Sequence, residues 1–310
     1  MPTVLAGDLG GTKCRFALIT EDFGVHCVER VDTVRDRTTF LDNMRAAIGA
    51  TIARGRAAGL SPPVAVGVGA AGVVGVDGES LGDPPNLPLG GFALRSWLLE
   101  ATGLPVALLN DGRASAWGEY LRGHASRRDP LLCLFFGTGI GIGLIIEGSP
   151  YGGAANAAGE IGHTMYKPGG RMCPCGAIGH YEAYCGGRAI IERAAETLGA
   201  KRDGAWDVGA VVAAAEGGSE LASMILEDAA LAASTMVVNA AILLNPSAIV
   251  LGGGVLTGWP ALRDRIIAAV RENTDACIHR DLRFVESLGG SDAILWGAAA
   301  ATRAMWRADP

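Results

Sequence analysis

Residues 4–19 read VLAGDLGGTKCRFALI, which is an apolar strand, a glycine turn and a second apolar strand. Residues 132–146, LCLFFGTGIGIGLII, repeat this plan. Apolar strands joined by a short glycine turn predict a β-hairpin. Two such hairpins indicate two halves built on one plan. Because further apolar strands alternate with helical segments, the sequence predicts an α/β protein.

The remaining elements follow from periodicity. Continuous apolar runs predict buried strands at 64–72 and 105–111. Helical periodicity predicts helices near 39–58, 91–102, 112–123, 187–199, 207–216, 219–244, 259–273 and 292–307. The charged, turn-rich patch RGHASRRDP divides the halves. We therefore predict two domains, which are 1–121 plus 292–310 and 122–291.

Composition excludes several classes of protein. The chain has 46 glycines among 310 residues, whereas the usual glycine share is about 7%. Collagen is excluded because no Gly-X-Y period is present, and a flexible linker is excluded because 49% of residues are hydrophobic. The net charge of −6 argues against partners such as nucleic acid or an anionic membrane surface.

The chain also lacks the usual signs of export or membrane insertion. No basic segment followed by a long apolar stretch opens it, and its seven cysteines suit a reducing compartment. Residues 229–262 carry no charge and are long enough to cross a bilayer. Asn245, Pro246 and three glycines interrupt them, which predicts a helix, a turn, a short strand and a loop instead. We expect a cytoplasmic protein.

The first hairpin carries groups that suit phosphate. Its glycines allow backbone N–H groups to approach an anion, a hydroxyl and an ammonium add donors, and Asp8 could hold Mg²⁺ through water. The spacing differs from that of a P-loop, and a plain hairpin turn is the alternative. The predicted phosphate contacts are Asp8, Gly10, Gly11, Thr12 and Lys13.

Two further glycine runs extend this pattern. The turn of the second hairpin could grip phosphates with Gly137, Thr138 and Gly139. After a third strand, the run Gly252, Gly253 and Gly254 offers space for a base and ribose. Tight strand packing is the alternative in both places. GVGAAG at 67–72 matches a dinucleotide fingerprint, but the turn-rich segment that follows lacks the required helix.

Asn110 and Asp111 end a predicted strand, which is where α/β sheets place their ligands. A carboxylate at this position could accept a proton from a substrate hydroxyl. It could also cap the helix that follows, and both roles can coexist.

The segment 149–186 is rich in Gly, Pro, Cys and His and has weak periodicity. Four ligands follow H-x9-C-x-C-x4-H, which fits a closed tetrahedral structural zinc site: His163, Cys173, Cys175 and His180. Cys185 is a rival for the fourth position. The neighbouring Glu160 and Glu182 are candidates to hydrogen-bond a polyol, with solvated surface carboxylates as the alternative.

Taken together, the motifs resemble the ROK family of sugar kinases, within the group that includes actin, hexokinases and heat-shock chaperones. The resemblance covers nearly the whole chain, through GDLGGTK, GVGAAGVV, PPNLP, LLND, GTGIGIG, AAGEIGH, CPCGAIGHYEAY and LGGGV. It implies a two-domain actin-like (ribonuclease H-like) fold with an interdomain cleft and a zinc-stapled loop.

The resemblance also implies roles for single residues. Both glycine hairpins would hold the phosphates of ATP, the third glycine run would contact adenosine, and Asp111 would be the catalytic base. Mg²⁺ would accompany ATP, and Zn²⁺ would be structural. The implied sugar contacts are Gly72, Asn86, Asn110, Asp111, Glu160, His163 and Glu182. Two positions depart from the family pattern, since His180 replaces a usual cysteine and Ala71 replaces a frequent proline.

We therefore expect phosphorylation of the 6-hydroxyl of a hexose, with glucose first because ANAAGEIGH most resembles glucokinases. N-acetylmannosamine, N-acetylglucosamine and fructose are the alternative substrates, and polyphosphate is an alternative donor. A DNA-binding repressor is disfavoured because the first hairpin begins at residue 4. A non-catalytic sugar-binding regulator is disfavoured by the retained Asp111. The family implies a homodimer or homotetramer.

Overall fold

A computed structural model of the chain describes residues 2–82, 84, 87–124, 126–199 and 204–306. Within these residues the strands are β1 Thr3–Leu9, β2 Lys13–Ile19, β3 Val25–Asp32, β4 Pro63–Ala70, β5 Val106–Asn110, β6 Leu131–Phe136, β7 Ile140–Ile146, β8 Ser149–Pro150, β9 Ala248–Gly252 and β10 Arg283–Glu286. The helices are α1 Arg37–Ala57, α2 Leu94–Thr102, α3 Asp111–Arg122, α4 Glu182–Cys185, α5 Gly187–Leu198, α6 Val208–Glu216, α7 Glu220–Leu244, α8 Gly254–Gly258, α9 Ala261–Asn273, α10 Ala276–His279 and α11 Ala293–Trp306. Two 3₁₀ turns cover Ile161–His163 and Gly290–Asp292.

The first sheet has the strand order β3-β2-β1-β4-β5. β1 and β2 form the first predicted hairpin, while β4 and β5 run parallel to β1. The register pairs Leu9 with Ala70 and Ala70 with Asn110, so the carboxyl ends of three strands lie at one edge of the sheet. This edge is where parallel sheets bind ligands.

Glycines in β4 allow α11 to approach the first sheet closely. A Cβ on Gly67 would lie 1.9 Å from the carbonyl oxygen of Ala298 in α11, and one on Gly69 would lie 2.6 Å from Ile294. Real Cβ atoms do not come so near, so larger residues would push the helix away. Part of the glycine surplus therefore serves helix–sheet packing.

The second sheet has the strand order β10-β9-β6-β7-β8. β9 runs parallel to both of its neighbours, and β6 continues into β7 through the second predicted hairpin. The residues of β9 are fully buried, which accounts for their unbroken apolar sequence.

The uncharged stretch 229–262 does not form one helix. It divides into the second half of α7, the strand β9, the short helix α8 and the first residues of α9. The helix, turn and strand are as predicted, whereas α8 begins at Gly254, within the predicted glycine loop. In the described ranges, α7 meets the length and hydropathy expected of a membrane span, and 61% of its most apolar window is buried within the protein.

The chain divides into two compact units. The first comprises residues 1–127, 143–158 and 288–310, and the second comprises 128–142 and 159–287. This division differs from the predicted domains chiefly at 143–158, which the contacts group with the first unit. The domain assignment itself stays a prediction.

Candidate functional site

The turn of the first hairpin is closed by short-range hydrogen bonds. Gly10 N donates to Lys13 O at 3.2 Å, and the hydroxyl of Thr33 donates to Gly10 O at 2.7 Å. A Cβ on Gly10 would lie 2.9 Å from Lys13 O, so the tight turn requires glycine there. Thr12 and Lys13 are exposed at the turn, where their donors can reach an anion.

Asp8, at the end of β1, is held by a half-buried arginine from the neighbouring strand. Arg15 donates from Nε at 3.1 Å and from Nη2 at 2.9 Å to the same Asp8 oxygen, Oδ2. Burial raises the pKa of the Asp8 carboxyl, and the charge of Arg15 opposes that shift. Both bonds fall on one oxygen, and hydrated Mg²⁺ needs only one or two carboxylate oxygens. The donor set at Asp8 therefore fits that ion.

Arg15 is itself fixed by the turn before α11. Its Nη1 donates to Asp292 Oδ1 at 3.0 Å, and it also contacts Ser291. Glu119 of α3 anchors the segment that precedes this 3₁₀ turn. Its side chain is fully buried and accepts from Gly289 N at 2.9 Å. No local pattern in the sequence marks Arg15 or Glu119. Asp292, a partner of Arg15, and Gly289, a partner of Glu119, each lie more than 160 positions away along the chain.

Asn110 and Asp111 form the N-terminus of α3. The Asn110 side chain caps the helix by accepting from Arg113 N at 3.0 Å, and its amide donates to Gly72 O at 3.2 Å. Asp111 Oδ1 accepts from Asn110 Nδ2 at 3.0 Å and from Gly112 N at 2.7 Å. The carboxylate therefore has a fixed orientation, and a helix N-terminus favours its negative charge. The capping role therefore falls to Asn110, and the role of Asp111 as a proton acceptor stays a prediction.

The second hairpin is held by backbone groups and one carboxylate of its own unit. At the start of α5, Gly187 N donates to Gly137 O and Arg188 N donates to Thr138 O, each at 2.9 Å. Glu182 Oε2 accepts from Ile140 N at 2.8 Å. In the structure, Glu182 therefore braces the second hairpin. Its predicted contact with the sugar stays a prediction.

The third glycine run joins β9 to α8. Gly253 has a φ of 100°, and a Cβ there would lie 2.3 Å from Phe136 O. A Cβ on Gly252 would lie 2.8 Å from Ser287, whereas one on Gly254 would meet no heavy atom within 4 Å. Strand packing therefore explains the first two glycines. Gly254 keeps open space, which is what a contact with adenosine needs.

The four predicted zinc ligands come together: each of His163, Cys173, Cys175 and His180 offers a ligand atom, and these atoms lie within 4.8 Å of one another. His163 Nδ1 lies 3.5 Å from Cys173 Sγ, and His180 Nδ1 lies 3.3 Å from Cys175 Sγ. In a tetrahedral zinc site the ligand atoms are about 3.3–3.8 Å apart, given zinc–ligand bonds of about 2.0–2.3 Å. The cluster therefore fits a zinc-binding loop.

The surroundings of the thiols bear on the choice of ligands. Burial raises the pKa of the Cys173 thiol to about 12, a cost that a coordinated cation would remove. The rival ligand Cys185 is fully buried and donates to Tyr181 O at 3.3 Å, outside the cluster. His180 rather than Cys185 is therefore the fourth member.

His163 faces two ways. Its Nδ1 is directed at Cys173, and its Nε2 lies 3.9 Å from Glu160 Oε2. Both residues are half-buried, so a polar ligand can reach them. The predicted sugar contact Asn86 lies outside the described residues. Among the other sugar candidates, Gly72, Asn110 and Asp111 cluster in the first unit, while Glu160 and His163 pair in the second.

Comparison with known proteins identifies the chain. The model of the ROK family matches residues 4–304. The chain belongs to the ROK family. Among relatives of this ROK protein, a glucokinase of Streptomyces coelicolor is 31% identical over 269 residues, which cover 82% of this chain and 83% of that one. An N-acetylmannosamine kinase of Yersinia pseudotuberculosis is also 31% identical, over 303 residues that cover 97% and 98%.

A solved structure gives the same result for the fold. The ROK glucokinase of Streptomyces griseus, determined with glucose and AMPPNP, is 29% identical and superposes with a TM-score of 0.82 over 97% of this chain and 99% of that one. The resemblance read from the motifs and the predicted ROK sugar kinase fold are confirmed.

Proposed function

We propose that this ROK sugar kinase transfers the γ-phosphoryl group of ATP to the 6-hydroxyl of a hexose, with glucose as the first choice. The observation that carries the proposal is the fixed carboxylate of Asp111, at the sheet edge where Asp8 and the first hairpin also lie. The Streptomyces relatives, named glucokinases, support glucose. The Yersinia relative makes N-acetylmannosamine the second candidate.

Asp111 acts as the general base in this proposal. The two donors on Oδ1 orient the carboxylate so that it accepts the proton of the 6-hydroxyl as the oxygen attacks phosphorus. Alignment and charge neutralisation are the main requirements of phosphoryl transfer. The sugar contacts Gly72 and Asn110 hold the acceptor next to the base.

The hairpins would bind the nucleotide. Backbone N–H groups and the exposed Thr12 and Lys13 of the first hairpin neutralise phosphate charge, and the second hairpin adds Gly137 to Gly139. Asp8 would hold the Mg²⁺ that accompanies ATP, and this ion supplies further charge neutralisation when bound. Gly254 leaves space for adenosine.

A structural zinc ion would staple the loop that carries His163. All four positions are taken by protein ligands, so the ion would have no open site for chemistry. By holding the His163 ring, the ion would also fix the orientation of Nε2, which lies 3.9 Å from Glu160 Oε2; His163 and Glu160 are both predicted sugar contacts.

The base is tested with Asp111→Asn. The amide oxygen can accept the same two hydrogen bonds, so the fold is retained, but the side chain takes up no proton. We expect kcat to fall about 10²–10⁴-fold in a coupled ADP-release assay. Asp207→Asn is a matched control, because Asp207 caps α6 at Ala210 N and is not a predicted site residue. Near wild-type turnover by Asp111→Asn would remove the assignment.

The substrate is tested by the same assay on a panel of hexoses and N-acetylhexosamines, with ATP and polyphosphate as donors. We expect the highest kcat/KM for glucose with ATP. A higher kcat/KM for N-acetylmannosamine than for glucose would identify N-acetylmannosamine as the substrate. Binding of sugar without turnover on any panel member would favour a sugar-binding regulator and overturn the kinase.

The zinc site is tested by elemental analysis and by chelation. We expect one zinc per chain, and removal of the metal lowers the melting temperature because zinc binding stabilises the folded loop. Cys175→Ser should have the same effect, whereas the exposed Cys277→Ser is the control. Purified protein without stoichiometric zinc would contradict the proposal.

We also propose that the protein is a cytoplasmic homodimer or homotetramer. The net charge of −6 and the odd number of cysteines suit the cytoplasm. Size-exclusion chromatography with light scattering at micromolar concentration measures the assembly state, and a monomer at that concentration would contradict the proposal.

A further inference from the structure

Arg113, two residues after the candidate base, is a buried guanidinium. Its exposed fraction is 7%, and burying a charge is costly unless its N–H groups are hydrogen-bonded. Nη1 donates to Asn156 Oδ1 at 2.9 Å, and Nη2 donates to Asn156 O at 2.7 Å. The paired donors of arginine therefore grip both the side chain and the backbone of one residue.

The conformation of Asn156 allows both of these hydrogen bonds. Its φ of 56° lies in the left-handed region, which asparagine tolerates better than most residues. Its Nδ2 donates to Gly75 O at 3.4 Å, so the same side chain also contacts the segment after β4. A Cβ on Gly152 would lie 2.3 Å from Asn156 Oδ1, and glycine is required there to make room.

Three segments of the first unit thus meet at one point. They are 72–75 after β4, 110–113 at the start of α3, and 152–156 after β8. Asn110 joins the first two through Gly72, Arg113 ties the third to the second, and Asn156 Nδ2 ties the third to the first. Three predicted sugar contacts of this unit, Gly72, Asn110 and Asp111, lie on the first two segments, and 152–158 leads directly to Glu160.

We propose that Arg113 is a positioning residue for the sugar: it locks these three segments so that the acceptor hydroxyl is aligned with Asp111. The inference rests on the proposed kinase activity. The predicted nucleotide contacts lie on other segments, and none of the hydrogen bonds described for the Arg113 side chain goes to them. Loss of Arg113 therefore impairs use of the sugar and spares the nucleotide.

The test compares Arg113→Met and Arg113→Lys with wild type. Misplacement by about 1 Å can cost about a hundredfold in rate. We expect Arg113→Met to raise the KM and Kd for sugar about tenfold or more and to lower kcat, with the KM for ATP unchanged. Lysine keeps the charge but cannot form the paired contact, so Arg113→Lys should be intermediate.

Two variants complete the design. Arg122→Met is the matched control, since Arg122 is an exposed arginine at the other end of the same helix, where it donates to Asp22 O. Asn156→Gly tolerates the positive φ but removes the side-chain contacts, so it should reproduce the rise in the sugar KM. It also carries the test if Arg113→Met does not fold.

The outcomes separate the two proposals. No turnover by the wild-type protein on any sugar overturns the proposed function, and the inference with it. Turnover by wild type together with wild-type sugar constants in folded Arg113→Met overturns only the role of Arg113. An equal rise in the KM for sugar and for ATP also overturns it, because general destabilisation would affect both. Calorimetry gives the sugar Kd independently of activity.

Discussion

The two glycine hairpins share one sequence plan, yet different interactions hold them. In the first, a partly buried ion pair between Arg15 and Asp8 extends to Asp292. In the second, backbone carbonyls accept from the start of α5, and the Glu182 carboxylate accepts from Ile140 N. The contacts that brace the first hairpin from outside its own backbone are thus mainly between charged side chains, whereas those of the second are mainly between backbone groups.

The difference predicts which kind of substitution each hairpin tolerates. Charges in a partly buried site act over several ångströms, so the first hairpin should be sensitive to neutralisation. Backbone groups in contact leave no room for an added atom, so the second should be sensitive to volume. Three substitutions examine this contrast.

The largest effect is expected from Gly187→Ala at the second hairpin. A Cβ there would lie 2.6 Å from Gly137 O, a backbone atom that already accepts from Gly187 N. The hairpin must shift, which should lower kcat/KM for ATP about a hundredfold and stability by about 1–3 kcal/mol. The measurements are steady-state kinetics and thermal unfolding.

The control for this change is Gly209→Ala in α6 of the same unit. Its Cβ would meet no atom nearer than 3.4 Å, and alanine favours a helix. Wild-type kinetics in Gly187→Ala would show that backbone fit does not control the second hairpin.

A smaller effect is expected from Arg15→Met at the first hairpin. Losing hydrogen bonds to a charged group should weaken Mg·ATP binding about tenfold. Arg15 opposes the upward shift that burial gives the Asp8 pKa, so without it that pKa rises further. Asp8 then stays protonated to a higher pH, and the acid limb of the kcat/KM profile moves to higher pH.

Arg54→Met serves as the matched control, because Arg54 pairs with Glu29 on an exposed face of the same unit. An unshifted acid limb in Arg15→Met, together with unchanged Mg·ATP affinity, would refute the importance of charge at the first hairpin.

The smallest effect is expected from Asp292→Asn. The Asp292 side chain is 42% exposed, and exposed ion pairs contribute about 0–1 kcal/mol. The amide can still accept from Arg15, so the Mg·ATP KM should change only slightly. A loss of Mg·ATP affinity as large as that in Arg15→Met would show that the contact of Arg15 with Asp292 matters more than its contact with Asp8.

Much of the fold was predictable from apolar periodicity. The helix predicted at 219–244 is Glu220–Leu244, and the strand predicted at 105–111 is Val106–Asn110. Apart from the two-residue β8, the strands that were not predicted are β3 and β10. Both are partly exposed along their length, so they carry no clear apolar signal, and their pairing depends on backbone hydrogen bonds to a neighbouring strand.

The candidate site divides in the same way. Glycine turns, the Asn-Asp pair and the Cys/His spacing are local patterns, and each reflects chemistry that few other residue types perform. Arg113 shows the limit. Nothing in the sequence around it marks a buried arginine, because its burial depends on Asn156, which lies 43 positions later.

The sequence by itself therefore determined the fold class, the family, the two hairpins and three members of the Cys/His cluster, because these depend on residue type and spacing along the chain. Only the tertiary structure decided that Arg15 braces Asp8, that Glu182 braces the second hairpin, and that His180 rather than Cys185 completes the cluster. The physical reason is that a polar group removed from water must find its partner in space, and strand register and loop packing select that partner among several side chains that the sequence leaves possible.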